Sequence, residues 1–189
     1  MNAAVATPRR DESERIKNLV GRAQQGDRSA LEDLYLLHFD RIYSYLHMSV
    51  GSRHDAEDLT TQTFVKMLEA IGRFQWRSVP FSAWLFRIAH NLAMDHFRAS
   101  RRWQPEEEIP EAVQGEETSA EDQALASLGQ TSMLELIERL SPEQRQVLTL
   151  KFVFRFSNGE VASILEKTEG AVKSLQHRAL ASLQKHVTR

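Results

Sequence analysis

The chain has 189 residues, 24 Lys/Arg against 26 Asp/Glu, a net charge of −2 and a hydrophobic fraction of 41%, values that are ordinary for a soluble globular protein of one large or two small domains. Because it contains no cysteine, a disulfide framework, a thiolate zinc site and a cysteine nucleophile are excluded, and the seven histidines lack the spacing of a helical metal motif. Met1 to Arg10 has no long apolar run and no stretch is long enough to span a bilayer, so we expect no secretory signal and a cytoplasmic protein without membrane insertion.

The first hundred residues carry apolar side chains at helical spacing and show no useful strand alternation. Asp27 can cap a second helix, Gly51 suits the exit of that helix, and Pro80 suits the start of a fourth helix. The apolar stripe of the third helix includes Leu68. We therefore predict four helices, at about residues 12–25, 28–50, 54–71 and 81–101.

The small net charge conceals a segregation of charge along the chain. Residues 103–130 hold eight Asp/Glu and no Lys/Arg. The two flanking segments, residues 1–102 and 131–189, each carry a net charge of +3. This acidic strip, with its two prolines and two glycines, predicts a flexible linker between two helical domains. The alternative interpretation is a linker whose charge serves only solubility.

Helix-capping residues predict a helix-turn-helix in the C-terminal part. Ser141 can cap one helix, Ser157 and Glu160 form a capping box for the next, and Thr168 can cap the last. The last two helices are joined by about three residues, the spacing of a motif whose second helix enters the major groove. An ordinary hairpin with a basic surface is the alternative. The outward, donor-rich side chains of the last helix are Lys173, Ser174, Gln176, His177 and Arg178.

A second basic surface is predicted along one side of the fourth helix and in the loop before it. Ring faces for stacking and cations for phosphates are what single-stranded nucleic acid needs. The alternative is that the arginines are ordinary surface residues and the aromatic rings cover the core. The candidate residues are Phe74, Trp76, Arg77, Arg87, Asn91, Arg98 and Arg101.

The third helix presents mixed charges around an exposed valine on the face opposite its apolar stripe. Such a face indicates either a protein docking surface or an ordinary solvated helix. Its residues are Asp58, Gln62, Val65, Lys66 and Glu69. Catalysis has less support, because no Gly-rich phosphate loop, serine elbow or convergent pair of carboxylates is present. We therefore expect no enzymatic activity, no cofactor and no metal.

Five motifs in order resemble those of the extracytoplasmic-function (ECF) RNA polymerase sigma factors, over about residues 16–185. They are LVGRAQQGD at 19–27, DAEDL at 55–59, FSAWLFRIAHNLAMD at 81–95, LSPEQRQVL at 140–148 and GAVKSLQHRA at 170–179. The resemblance implies an all-α fold: two small helical domains joined by a flexible acidic linker, the C-terminal one containing the helix-turn-helix. The implied parts are a sigma-2-like domain at 12–102, the linker at 103–130 and a sigma-4-like domain at 131–187.

The resemblance also implies partners and roles for the surfaces described above. Core RNA polymerase would dock on the third helix through Asp58, Gln62, Val65, Lys66 and Glu69. The loop and fourth helix would melt and hold the minus-ten promoter element through Phe74, Trp76, Arg77, Arg87, Asn91, Arg98 and Arg101. The helix-turn-helix would read the minus-thirty-five element through Thr168, Lys173, Ser174, His177 and Arg178. An anti-sigma factor that hides the polymerase-binding face is implied as well.

Three positions depart from the pattern of the family. Thr61-Gln62 stands where Gln-Glu is common, and Leu175 replaces the usual Arg of the last helix. Glu166-Lys167 stands where the turn usually has a glycine, so we expect either a looser turn or a non-glycine residue in the left-handed conformation. Two other functions are kept as alternatives: a regulator that binds a duplex operator as a homodimer, and an enzyme with an appended DNA-binding domain.

Overall fold

The structure is a computed structural model and describes residues 8–76, 79–99 and 140–187. Every regular element within these ranges is helical, which confirms the predicted all-α class. The chain divides into two compact units, residues 1–93 and 94–189, and the division falls inside the fourth helix. The predicted acidic linker lies outside the described residues. None of the described helices has the length and apolar character needed to cross a bilayer.

The N-terminal unit begins with α1 (Pro8–Gln24) and α2 (Arg28–Val50), joined by a tight corner. The side chain of Asp27 caps α2 as predicted, accepting from the backbone N–H groups of Ser29 at 2.9 Å and Ala30 at 3.3 Å. The Arg22 guanidinium also binds Asp27, 2.6 Å from its carboxylate, and holds the pKa of Asp27 below its usual range. The corner is therefore held by the hydrogen bonds from backbone N–H groups to Asp27 and by the Arg22–Asp27 ion pair.

Next come α3 (Arg53–Ala70), a 3-10 turn (Ile71–Arg73) and α4 (Phe81–Ala99). Gly51 ends α2 in the left-handed conformation, as predicted, with φ of 74°. Two threonines of α3 are buried, and each hydroxyl donates to the carbonyl four residues earlier. The largest fully buried side chains of this unit are Leu34, Ile42, Tyr45, Leu46, Met67, Phe81, Leu85 and Phe86.

The C-terminal unit contains α5 (Pro142–Leu148), a π-turn (Thr149–Val153), α6 (Asn158–Leu165) and α7 (Glu169–Val187). The three predicted caps are present: Ser141 on α5, the Ser157–Glu160 capping box on α6, and Thr168 on α7, where its hydroxyl accepts from Ala171 N–H at 3.1 Å. One buried cluster of this unit consists of Leu140, Leu148, Ala179, Leu180 and Leu183.

Glu166 ends α6 in the left-handed conformation, with φ of 54°, which is the second of the two possibilities that the sequence left open for this turn. Its N–H and that of Lys167 both bond to the Ala162 carbonyl, which closes the helix end. Arg155, at φ of 58°, is the other non-glycine residue with positive φ among the described residues. A left-handed residue with a Cβ costs roughly 1–2 kcal/mol.

Glu166→Gly should therefore stabilise the protein, by up to about 1 kcal/mol once the extra chain entropy of glycine is subtracted. Glu166→Val should destabilise it by more, because a β-branched side chain fits this conformation poorly. Urea unfolding followed by circular dichroism measures both changes. Glu169→Gly is the control, since Glu169 lies in a helix and should gain nothing. A glycine at position 166 that destabilises the protein would contradict this explanation of the turn.

Candidate nucleic-acid and protein interfaces

The loop between α3 and α4 is built on a cluster of four aromatic rings. The Phe74 ring is 9% exposed, and its centroid lies 5.0 Å from that of Trp84, 5.4 Å from Phe81 and 5.3 Å from Trp76. Trp76 is 37% exposed. Phe74 therefore covers the core, as the alternative interpretation held, whereas Trp76 offers ring surface to a ligand. Arg77 lies outside the described residues.

The predicted basic stripe on α4 is interrupted. Asn91 and Arg98 are exposed and Arg87 is half-buried, but Met94, which lies between Asn91 and Arg98 in the stripe, is 7% exposed. Arg98 pairs with Asp95 one turn earlier, at 3.1 Å. Because both partners are well exposed, this pair can open at little cost when a phosphate approaches. Arg101 lies outside the described residues.

The candidate docking face of α3 is exposed at Asp58, Gln62, Val65, Lys66 and Glu69. Leu68, which the sequence pattern assigned to the apolar stripe of this helix, is 51% exposed beside the docking face. Tyr35 of α2 is 40% exposed and packs on Phe64, with ring centroids 4.7 Å apart. The face therefore has more apolar surface than the sequence pattern indicated, as protein interfaces often do at their centres.

The last two helices form the predicted helix-turn-helix. Val172, Leu175 and Ala179 are buried, so Leu175 packs in the core and is not available as a replacement for the usual arginine contact. Lys173 and His177 are exposed one turn apart, and Ser174 and Arg178, also one turn apart, are half-buried. Thr168 is exposed while its hydroxyl caps α7. The first three turns of α7 therefore present a polar, donor-bearing surface.

An ion pair that was not predicted joins the turn of this motif to α5. Lys167 Nζ lies 3.5 Å from Glu143 Oε1, and the two side chains are 29% and 13% exposed. Glu143 also lies in the first turn of α5, where a carboxylate is favoured by the helix dipole. The pair links the turn to α5, next to the left-handed Glu166. The partners are 24 residues apart, so helical periodicity carries no signal for it.

Two buried histidines in the N-terminal unit are structural. His38 Nδ1 lies 2.9 Å from the Leu34 carbonyl oxygen, and burial lowers the pKa of His38, which favours a neutral ring that packs edge-on against Phe81. His90 Nδ1 lies 3.1 Å from the Tyr45 hydroxyl, whose pKa is raised by burial. Neither ring faces a cluster of potential ligands, and no such cluster of three or more exists among the residues described.

The chain matches two family models: Sigma-70 region 2 over residues 34–103 and Sigma-70 region 4 over residues 130–183. It is 40% identical to the ECF RNA polymerase sigma factor BldN of Streptomyces coelicolor, a match over 91% of this chain and 66% of BldN. It is 33% identical to SigD of Mycobacterium tuberculosis, covering 93% of this chain and 85% of SigD.

Among solved structures, the chain is similar to CnrH, determined in complex with the cytosolic domain of CnrY. The TM-score is 0.67 and the identity 25%, over 93% of this chain and 97% of that one. The region 2 match extends from α2 through α4, and the region 4 match includes the helix-turn-helix.

Proposed function

Because the chain belongs to the ECF RNA polymerase sigma factors and is a transcription initiation factor, we propose that it binds core RNA polymerase and directs it to specific promoters. It reads the minus-thirty-five element as duplex and the minus-ten element as melted single strand. The observation that carries this proposal is the presence of both matched regions on one chain, each with an accessible polar surface. We propose domains at 12–102 and 131–187, with the acidic linker at 103–130, in a cytoplasmic protein.

The α3 face is the proposed polymerase contact. Its exposed apolar groups, Val65 and Leu68, lie beside Asp58, Gln62, Lys66 and Glu69 on the helix surface. Apolar groups next to polar and charged ones are common in reversible protein interfaces. An anti-sigma factor that covers this face would prevent binding to polymerase. CnrH, a relative in fold and sequence, was solved with a bound partner domain, which supports the existence of such a partner here.

The surface for the minus-ten element consists of Trp76 with Arg87, Asn91 and Arg98, and we propose that Arg77 and Arg101 extend it. Trp76 supplies the ring on which an unstacked base lies, and the arginines neutralise phosphates. Phe74 is buried, contacts Trp76 edge-on and is not proposed to touch DNA. Binding energy gained from the captured bases offsets the cost of strand separation, so no bond chemistry by this chain is required.

The surface for the minus-thirty-five element is the start of α7. We propose that the exposed Lys173 and His177 contact the major groove, with Ser174 and Arg178 beside them and Thr168 at the helix start. A regulator that acts on a duplex operator without polymerase is not favoured, because it leaves the region 2 match at residues 34–103 without a role.

Co-elution with core RNA polymerase tests the polymerase contact. Val65→Glu places a charge among the exposed apolar groups of the α3 face, so we expect the affinity for core to fall by at least about tenfold, or ~1.4 kcal/mol. Gln25→Glu makes the same charge change on the exposed end of the α1–α2 corner and should bind as the unsubstituted protein does. Equal binding by both variants would move the polymerase contact away from α3.

A further inference from the structure

One side chain of α1 is bonded to the aromatic loop across a long sequence separation. Gln24 Nε2 donates to the Ile71 carbonyl oxygen at 3.0 Å and to the Phe74 carbonyl oxygen at 2.7 Å, spanning 47 and 50 residues. A glutamine amide has two N–H donors, and here each can be used by one carbonyl. Gln24 therefore binds both ends of the short segment that connects α3 to the loop.

Gln24 is an exposed residue that lies next to a well-defined corner of the backbone. It is the last residue of α1, directly before the corner that Asp27 caps and that the Arg22–Asp27 pair closes. The segment that it binds is equally well defined, because the Phe74 N–H donates to the Ile71 carbonyl at 3.0 Å. The Ile71 oxygen thus accepts two hydrogen bonds, and the 3-10 turn is held against the end of α1.

These bonds bear on Trp76 through Phe74. The Phe74 ring is fixed by Phe81 and Trp84 and packs on Trp76, while its carbonyl is fixed by Gln24. The direction in which the chain leaves Phe74 and the position of the Phe74 ring against Trp76 are thereby set before any ligand binds. A ring that is already in place loses little conformational entropy when a base stacks on it.

We propose that Gln24 is a positioning residue for promoter opening: it holds residues 71–74 so that Trp76 is preorganised to receive an unstacked base of the minus-ten element. This rests on the proposed function of Trp76. Gln24 lies before residues 34–103, which the Sigma-70 region 2 match covers.

The test uses holoenzyme and a fluorescent single-stranded oligonucleotide that carries the non-template strand of a minus-ten element mapped by run-off transcription. Gln24→Glu keeps the size of the side chain but replaces the donors with a carboxylate that repels both carbonyls. We expect oligonucleotide affinity to fall about fivefold to twentyfold. Gln24→Lys, which retains donors, should stay within about threefold of the unsubstituted protein, and Gln25→Glu should be unchanged.

A double-mutant cycle with Trp76→Ala separates positioning from general destabilisation. If Gln24 acts through Trp76, Gln24→Glu should cause less than a twofold further loss once Trp76 is alanine. Losses that multiply independently would overturn the inference, as would a Gln24→Glu holoenzyme that matches Gln25→Glu while Trp76→Ala is impaired. If Trp76→Ala itself retains full affinity, the proposed minus-ten surface fails, and the role of Gln24 fails with it.

Discussion

Trp76→Ala should weaken capture of the single-stranded minus-ten element by about 5- to 150-fold, which corresponds to the roughly 1–3 kcal/mol that stacking on one aromatic side chain provides per base. The ring is 37% exposed, so its loss removes binding surface. The loss of its edge contact with Phe74 should have a smaller effect on stability, because Phe74 remains packed against Phe81 and Trp84.

Two measurements establish whether that loss is specific. Trp76→Phe retains a stacking ring and should recover most of the affinity. If Trp76 served stability alone, Trp76→Ala would weaken core binding as much as oligonucleotide capture. A promoter with a pre-melted minus-ten region should remain impaired with Trp76→Ala, since the captured base still lacks its platform. Full recovery on the pre-melted promoter would show that Trp76 acts in strand separation and not in base capture.

Replacing both Lys173 and His177 by alanine should lower promoter affinity of the holoenzyme by at least roughly 30-fold, or about 2 kcal/mol, because each good base contact contributes about 1–3 kcal/mol. Both side chains are exposed and neither supports the buried side of α7, which is formed by Val172, Leu175 and Ala179. The thermal stability should therefore be nearly unchanged.

The two single variants separate reading of bases from binding of phosphates. If Lys173 binds a phosphate, Lys173→Ala weakens all sequences about equally and reduces the salt slope by about one. If it binds a base, discrimination at one promoter position is lost. Lys17→Ala on α1 has the same change in charge and should do neither. Unaltered promoter affinity in the double variant would show that α7 is not the recognition helix.

Local signals in the sequence predicted much of the fold. Asp27, Ser141 and Thr168 cap helices as expected, because an N-cap depends on side-chain chemistry within three residues. For the turn between α6 and α7 the sequence left two possibilities, a looser turn or a left-handed non-glycine residue, and Glu166 adopts the left-handed conformation. These features depend on residues that are close together in the sequence, so they can be predicted from local sequence patterns.

Features that depend on tertiary packing were not predictable in the same way. Phe74 and Trp76 are both aromatic residues of one irregular loop, and no periodicity tells which one is buried. Leu68 lies at the edge of the apolar stripe, where burial depends on how far a neighbouring helix extends. The Gln24 bonds and the Lys167–Glu143 pair join residues that are distant in sequence, so only the folded arrangement brings them together.

Run-off transcription tests the central claim most directly. The full chain is added to core RNA polymerase from its own host with a genomic fragment library as template, and the transcript starts are sequenced. We predict discrete starts that share one upstream and one downstream motif and that are absent without the protein. A complete lack of specific starts, while a control sigma factor initiates normally with the same core enzyme, would contradict a role in promoter selection.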